Sequence, residues 1–466
     1  MQTYSVVHLF AGIGGGALGF QQAEVEFRGV TGRFHTLCGI DVNRDACEDF
    51  RNLTGAPAVQ MDLFSPEDYE AFHGRKPPAD WRAATPEDLR AAAGGIAPDV
   101  LFTSPPCKGF SGLLPRGRSE SEKYQALNRL TFRSIWLALE AWRDDPPGLI
   151  LLENVPRITV RGERLLRDIK RLLAAYGYLC HEGYHDCGEL GGLAQHRRRY
   201  LLVARNQRKV PMFLYQPPKQ RVRSLGEVIG PIPLPDDPAG GPLHRLPRLQ
   251  WRTWVRLALI PAGGDWRDLK DIRPEQYRIV PADGRHNNVE RITGWDQPAG
   301  TVAGGARPSQ GAISVADPRL GCSPRNAAYR IIRWDEPSLA VTGAGDIHSQ
   351  GAAAVADPRI PGDSDRGVWI IIAEDGTWHR PLTTLELAAL QGFPVVMPDG
   401  RPLTLAGKSD ARWRERIGNA VPPPAAGAIA EQALLMLLRS AARVWEASAT
   451  PVWVHPTEQP VEAVGD

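Results

Sequence analysis

Between residues 1 and about 205 the chain alternates short apolar, strand-like runs with helical patterns, and that alternation restricts the fold to a parallel sheet with helices on both faces. The strand candidates are 5–10, 35–40, 100–103, 148–152 and 200–204. The helical stretches include 126–142 and 162–176, where apolar residues recur three and four apart. This part reads as a doubly wound α/β domain. From 206 to 378 prolines and glycines become dense, helical periodicity fades, and seven of the thirteen tryptophans fall there. Short strands and turns suit such text, so a second, β-rich domain is expected over 206–378. Helical patterns return at 383–390 and 423–442, which assigns 379–446 to the first domain again, and the polar segment 447–466 reads as a flexible tail.

A duplicated unit lies inside the second domain, over about 291–320 and 330–360. Arg291-Ile292-x-x-Trp295-Asp296-x-Pro298 recurs as Arg330-Ile331-x-x-Trp334-Asp335-x-Pro337, and Val315-Ala316-Asp317-Pro318-Arg319 recurs as Val355-Ala356-Asp357-Pro358-Arg359. Two copies are too few for a solenoid, so one small β unit has been doubled.

At 466 residues the chain can bury two cores. No run approaches the length of a membrane span and the start enters a strand without a basic leader, which predicts a cytoplasmic protein with no membrane contact. The six cysteines, Cys38, Cys47, Cys107, Cys180, Cys187 and Cys322, are scattered without CxxC or zinc-type Cys/His spacing, so no metal site is expected. The net charge of +2 hides an asymmetry: residues 195–256 hold 13 Lys/Arg against three acids. Such a block suits a polyanion-binding face, and a solvated Arg-rich loop equally well.

Four stretches carry chemistry. Phe10-Ala11-Gly12-Ile13-Gly14-Gly15-Gly16 follows the first strand; its glycines allow a tight turn and close approach of a nucleotide-like ligand, although a dinucleotide or a bare turn would use them as well. Asp41, after the next strand, can accept from ribose hydroxyls, and Asp62 from an adenine amino group, unless each is an ordinary helix cap. Thr103-Ser104-Pro105-Pro106-Cys107-Lys108-Gly109-Phe110-Ser111 follows the third strand. Two prolines give the cysteine a rigid mount and Gly109 a hinge, a poor setting for a core residue and a good one for a nucleophile. Leu151-Leu152-Glu153-Asn154-Val155 places a carboxylate at another strand end, where it needs a task or a partner. Gln195-His196-Arg197-Arg198-Arg199-Tyr200 sends Arg197 and Arg199 to one face of a strand.

In this order the pieces resemble the cytosine-5 DNA methyltransferase family, with its FxGxGG loop, PPC nucleophile loop, ENV triplet and QxRxR. Arg380-Pro381-Leu382-Thr383-x-x-Glu386 through Leu390-Gln391-Gly392-Phe393-Pro394 is similar to the family's late helix motif, and Gly418-Asn419-Ala420-Val421-Pro422-Pro423 to its final motif. The six blocks span residues 10–423. The resemblance implies a doubly wound S-adenosylmethionine-dependent methyltransferase domain with a smaller β-rich target-recognition domain in the interval after QxRxR. It implies that Cys107 attacks carbon 6 of a flipped-out cytosine, that Glu153, best kept protonated, bonds N3 and the amino group, that Arg199 holds O2, and that Arg197 braces the loop or a phosphate. S-adenosylmethionine would lie against Phe10, Gly12, Gly14, Gly15, Asp41, Asp62, Pro105, Asn419 and Val421. The partner implied is double-stranded DNA, which places a monomeric protein with the nucleoid, and a cognate restriction endonuclease is a further partner the resemblance allows.

Arg307 and His348 sit in equivalent glycine-rich turns of the repeat and are candidate base readers, although plain hairpin turns fit equally. Three other readings fit less well: an RNA methyltransferase, disfavoured by the long Trp/Arg-rich segment; a nicotinamide or flavin oxidoreductase, which leaves PPC, ENV and QxRxR unexplained; and a DNA-binding relative without activity, which the full catalytic set opposes.

The chain departs from the family at Lys108, where Gln is usual, and at Ala194, where Pro often stands; the stretch 63–98 is long and has no assigned role. Lys108 either favours the thiolate or, the preferred reading, reaches with Ser111 to the DNA backbone. Lys108→Gln should then weaken DNA binding at every sequence and lower the salt slope of the affinity by about one. Titrations at several salt concentrations check this, and an unchanged slope with a shifted pH profile would favour the thiolate role.

Overall fold

The computed structural model of the chain describes residues 1–106, 121–211, 216–270 apart from 248 and 250, 292–293, 314–315, 331–338, 340, 354–359 and 370–444. They form two compact units: Met1–Arg245 with Asp335–Ala344 and Thr383–Asp466, and Leu246–Trp334 with Gly345–Leu382. Residues 206–245, expected in the second domain, cluster with the first unit. There Ser224 and Glu227 cap the helix Leu225–Ile229 reciprocally, and His244 Nδ1 lies 2.8 Å from Thr383 Oγ1.

The first unit is a mixed α/β structure on one eight-stranded sheet. Its strands are β1 (Gln2–Leu9), β2 (Glu24–Phe27), β3 (Val30–Asp41), β4 (Ala58–Gln60), β5 (Val100–Thr103), β6 (Leu149–Asn154), β7 (Tyr178–Asp186) and β8 (Arg198–Asn206). They lie in the order β2-β3-β1-β5-β6-β8-β7, with β4 also on β3. The pairs β1·β3, β1·β5, β3·β4 and β5·β6 are parallel. The all-parallel expectation fails at both edges: β2 runs antiparallel to β3, and β8 runs antiparallel to both β6 and β7. Parallel neighbours need a crossover of about a dozen residues or more, and the link 187–197, holding only the short helix Cys187–Gly191, is too brief for one.

Each face of the sheet buries its own core. One gathers Leu9, Ile40, Leu101 and Leu152 beneath the helices Glu122–Ala141 and Glu163–Ala175; the other gathers Val6, Phe20, Phe102 and Leu151 beneath the helix Pro423–Ala441. By length and apolarity the stretch Asp410–Ala441 could cross a membrane, but 72% of its most apolar window is buried within the unit.

The stretch 63–98 folds as two short helices, Pro66–His73 and Pro86–Ala92. Ser65 caps the first. Thr85 and Asp88 form a reciprocal cap on the second.

In the second unit the duplicated text forms equivalent pairs. Ile292 pairs with Ser314 in the first copy and Ile331 with Ala354 in the second, both parallel and at the same place in the repeat. In the second copy Ala354–Asp357 also pairs antiparallel with Trp378–Pro381. Asp357 accepts from Arg359 Nη2 at 2.9 Å and from Arg380 Nη2 at 2.7 Å, while the Arg359 guanidinium lies 5.0 Å from the Trp334 ring centroid. In this copy Trp334, Asp357 and Arg359 thus serve one contact set. Burial pushes the Asp357 carboxyl up, but the two arginines hold it below the usual carboxylate range.

Arg380 and Asp357 have side chains 0% exposed, so removing one partner strands a buried charge. Asp357→Ala should destabilise the unit by about 3–5 kcal/mol, with much of this recovered when Arg380→Met is added. Urea unfolding of the full chain followed by proteolysis within 246–382 checks this.

Candidate functional site

The described residues singled out from the sequence gather at one edge of the first unit's sheet, where β1, β3, β5 and β6 end and β8 begins. The loop after β1 turns sharply: Phe10, Gly12 and Gly14 have φ of 53°, 53° and 91°, and the two glycines take these angles without the Cβ penalty. Ala11 donates its backbone N–H to Ile40 O at 3.0 Å, and Gly12 donates to Asp41 Oδ2 at 2.9 Å. Asp41 Oδ1 accepts from the Asn43 N–H at 2.8 Å. Asp41 therefore holds the glycine loop with one oxygen and starts the next helix with the other. Burial raises the pKa of its carboxyl.

A Cβ built on Gly12 meets nothing within 4 Å, whereas one on Gly15 would lie 2.1 Å from Val421 O. The loop is thus open on one side and closed on the other by the final motif. Val421 is buried and Asn419, the last residue of the helix Asp410–Asn419, is exposed beside it. Asp62 follows β4, whose Gln60 pairs with Asp41. It accepts from the Phe64 N–H at 3.0 Å and from Trp81 Nε1 at 3.1 Å.

The start of the Pro-Pro-Cys loop is fastened on two sides. Ser104 donates its hydroxyl to Phe10 O at 3.3 Å, and Asn154 Nδ2 donates to Pro105 O at 3.2 Å. Asn154, read from the sequence only as part of ENV, is the residue that ties β6 to this loop. Cys107, Lys108 and Ser111 lie outside the described residues, as do Arg307 and His348. The four described cysteines, Cys38, Cys47, Cys180 and Cys187, are free. Burial pushes their thiols up, to about 12, 11, 11 and 12 respectively.

Glu153 and Arg199 meet as an ion pair, with Arg199 Nε 3.0 Å from Glu153 Oε1 and side chains 14% and 9% exposed for the arginine and the glutamate. That oxygen accepts no aligned hydrogen bond, so the contact is one of charge. Arg197 turns the other way: its Nη2 donates to Gly418 O and Ala420 O, each at 3.1 Å. It braces the final motif. Gln195 Nε2 reaches Leu390 O at 2.8 Å and Gln391 Oε1 at 2.9 Å.

Asp186 and His185 are contributors that the sequence reading missed. Asp186 caps the short helix through Gly188, accepts from the Arg197 N–H at 2.9 Å and lies 2.9 Å from His196 Nδ1. An Asp before a glycine-containing turn is a legible cap signal. His185 pairs in register with Arg199, and both its ring nitrogens are buried without a hydrogen-bond partner. Burial, with the Arg199 charge second, lowers its pKa to about 4; nothing in the sequence signals this.

The profile described as C-5 cytosine-specific DNA methylase matches residues 4–233. The chain is 26% identical over 414 residues to rat (Rattus norvegicus) DNA (cytosine-5)-methyltransferase 1, a match spanning 74% of this chain and 24% of that protein. To the Type II methyltransferase M1.HphI of Haemophilus parahaemolyticus it is 23% identical over 440 residues, spanning 93% of this chain and 87% of the relative. The chain thus corresponds to about a quarter of the rat protein and to most of the bacterial one. Among solved structures, the Entamoeba histolytica methyltransferase EhMeth aligns over 95% of this chain and 99% of its own, with a TM-score of 0.51 and 14% identity, a likeness of fold.

The unpartnered histidine leaves a mark on stability. Unfolded, His185 takes a proton near pH 6.5; folded, only near pH 4, so the folded state loses stability as pH falls across that interval. His185→Leu should flatten the urea-midpoint profile there. A profile as steep as the parent's would contradict the assignment.

Proposed function

Because the chain belongs to the C-5 cytosine-specific DNA methylase family, we propose that it transfers a methyl group from S-adenosylmethionine to carbon 5 of a flipped-out cytosine in a specific sequence of double-stranded DNA. The observation that carries this reading is the Glu153–Arg199 pair, seated at the strand end next to the one that leads through Pro105 into Cys107. At a nearly dry strand end a carboxyl group can donate to N3 and accept from the amino group of a pyrimidine, and a guanidinium can donate to O2.

The glycine loop fits the cofactor. Space lies open over Gly12, and the acceptors Asp41 and Asp62 stand at neighbouring strand ends, joined by the Met61 N–H donated to Asp41 O at 2.9 Å. Phe10, Gly12, Gly14, Gly15, Asp41, Asp62, Pro105, Asn419 and Val421 would hold it. When bound, it supplies an electrophilic methyl carbon. The chain's own part begins with the Cys107 thiolate, which adds to carbon 6 of the ring. Glu153 at N3 draws electron density out of the ring, Arg199 holds O2, and the addition leaves carbon 5 an enamine nucleophile. Once carbon 5 is methylated, loss of its proton returns an electron pair to the ring and expels the thiolate. Arg197 serves by bracing Gly418 and Ala420, which keeps the final motif against the glycine loop.

The second unit is proposed as the target-recognition domain, with Arg307 and His348 reading bases, and the basic block together with Lys108 and Ser111 neutralising phosphates. A monomer acting in the cytoplasm on nucleoid DNA fits these parts. A restriction endonuclease of the same sequence preference is a fitting partner, since one relative bears a Type II name.

DNA carrying 5-fluorocytosine tests the mechanism, because fluorine cannot leave as a proton does. With S-adenosylmethionine present the protein should be trapped covalently. Cys107→Ala should lose both trapping and methylation while still binding cofactor, and Glu153→Gln should slow methylation by about 10²-fold or more. Bisulfite sequencing of a host genome after expression reads the target sequence; full methylation by Cys107→Ala would refute the nucleophile.

A further inference from the structure

The stretch 63–98 has no part in the scheme above, yet it sends one polar group to the proposed cofactor edge. Trp81 Nε1 donates to Asp62 Oδ2 at 3.1 Å, while the Phe64 N–H occupies Oδ1 at 3.0 Å. A carboxylate has about four acceptor directions, so each oxygen keeps one. The segment is held on both sides of this contact. Arg133 of the helix Glu122–Ala141 donates from Nε to Leu63 O at 3.2 Å and from Nη2 to Ala84 O at 2.8 Å, gripping the residue after Asp62 and a residue three beyond Trp81. Arg82 grips Asp88 through both terminal nitrogens, at 2.5 and 2.6 Å. The backbone N–H of Trp81 closes a turn on Pro78 O at 3.0 Å, and the indole ring packs against Tyr69 with centroids 4.9 Å apart. Two short helices thus hold a single indole N–H against one carboxylate.

Resting on the cofactor reading above, we propose that Trp81 is a positioning residue for adenine recognition. Its N–H fixes the Asp62 carboxylate so that a remaining acceptor direction meets the cofactor's 6-amino group, and the stretch 63–98 is the brace that holds Trp81 there. A carboxylate oriented before binding gives up less freedom when the ligand arrives. With the indole gone, Asp62 would retain only the Phe64 N–H and would turn about its side-chain bonds.

Binding to the full-length chain without DNA, measured by calorimetry, tests this with two ligands: S-adenosylhomocysteine and its analogue carrying unsubstituted purine in place of adenine. The parent should prefer the adenine ligand, and Asp62→Ala should erase the preference. Trp81→Phe, which keeps a ring against Tyr69, should weaken the adenine ligand by about tenfold and leave the purine analogue unchanged. Equal weakening of both ligands would make Trp81 a purely structural prop and overturn the proposal, as would undiminished or tighter adenine binding. If Asp62→Ala keeps the preference, the adenine role of Asp62 itself fails and the proposal falls with it. A preference lost in Asp62→Ala but kept in Trp81→Phe overturns the role of Trp81 alone.

Discussion

The first unit depends on one close approach, between the helix that follows the glycine loop and the helix Pro423–Ala441. A side-chain carbon on Gly15 would stand 2.1 Å from Val421 O, and one on Gly19 would stand 2.3 Å from Pro423 O and 2.6 Å from the Ala426 methyl. Backbone meets backbone there because neither glycine has a side chain. Around that contact the second core closes, with Phe20, Val421, Ala425 and Ile429 in a single cluster. Residues about 400 positions apart in the sequence are thereby held as neighbours.

The QxRxR segment secures the same arrangement from the start of β8. Arg197 gives its charge to the carbonyls of Gly418 and Ala420, while Gln195 reaches Leu390 and Gln391, and Gln391 reaches Ile417 O at 3.0 Å. Hydrogen bonds from a charged donor to buried carbonyls are among the stronger ones in a protein. The point where β8 begins then decides the division of labour between the two arginines. Arg197 lies just before the strand and turns to the final motif, whereas Arg199 lies within it and meets Glu153.

Much of this was legible in one dimension. The spacing of apolar runs located five of the eight strands and the two long helices on one face of the sheet, because periodicities of two and of three to four report directly on which side chains are buried. Glu24–Phe27, Ala58–Gln60 and Tyr178–Asp186 escaped: the first two are short and the third alternates among polar residues. The repeat was visible as text, and the equal pairing of Ile292 with Ser314 and Ile331 with Ala354 gives it a structural form.

Sequence alone determined the residue types at the site and their order along the chain, because glycine, proline, carboxylate and arginine each have few uses where strands end. It also carried the resemblance to the cytosine-5 DNA methyltransferases, through six blocks in a fixed succession. What only the tertiary structure decided is which of these residues touch: that Asp41 holds the loop it was expected to sit beside, that Arg197 braces while Arg199 pairs with Glu153, that His185 is left without partners, and that Trp81 reaches Asp62. Those contacts join strands and helices far apart in sequence. Their geometry follows from strand order and from the antiparallel turn of β8, and no local pattern encodes either.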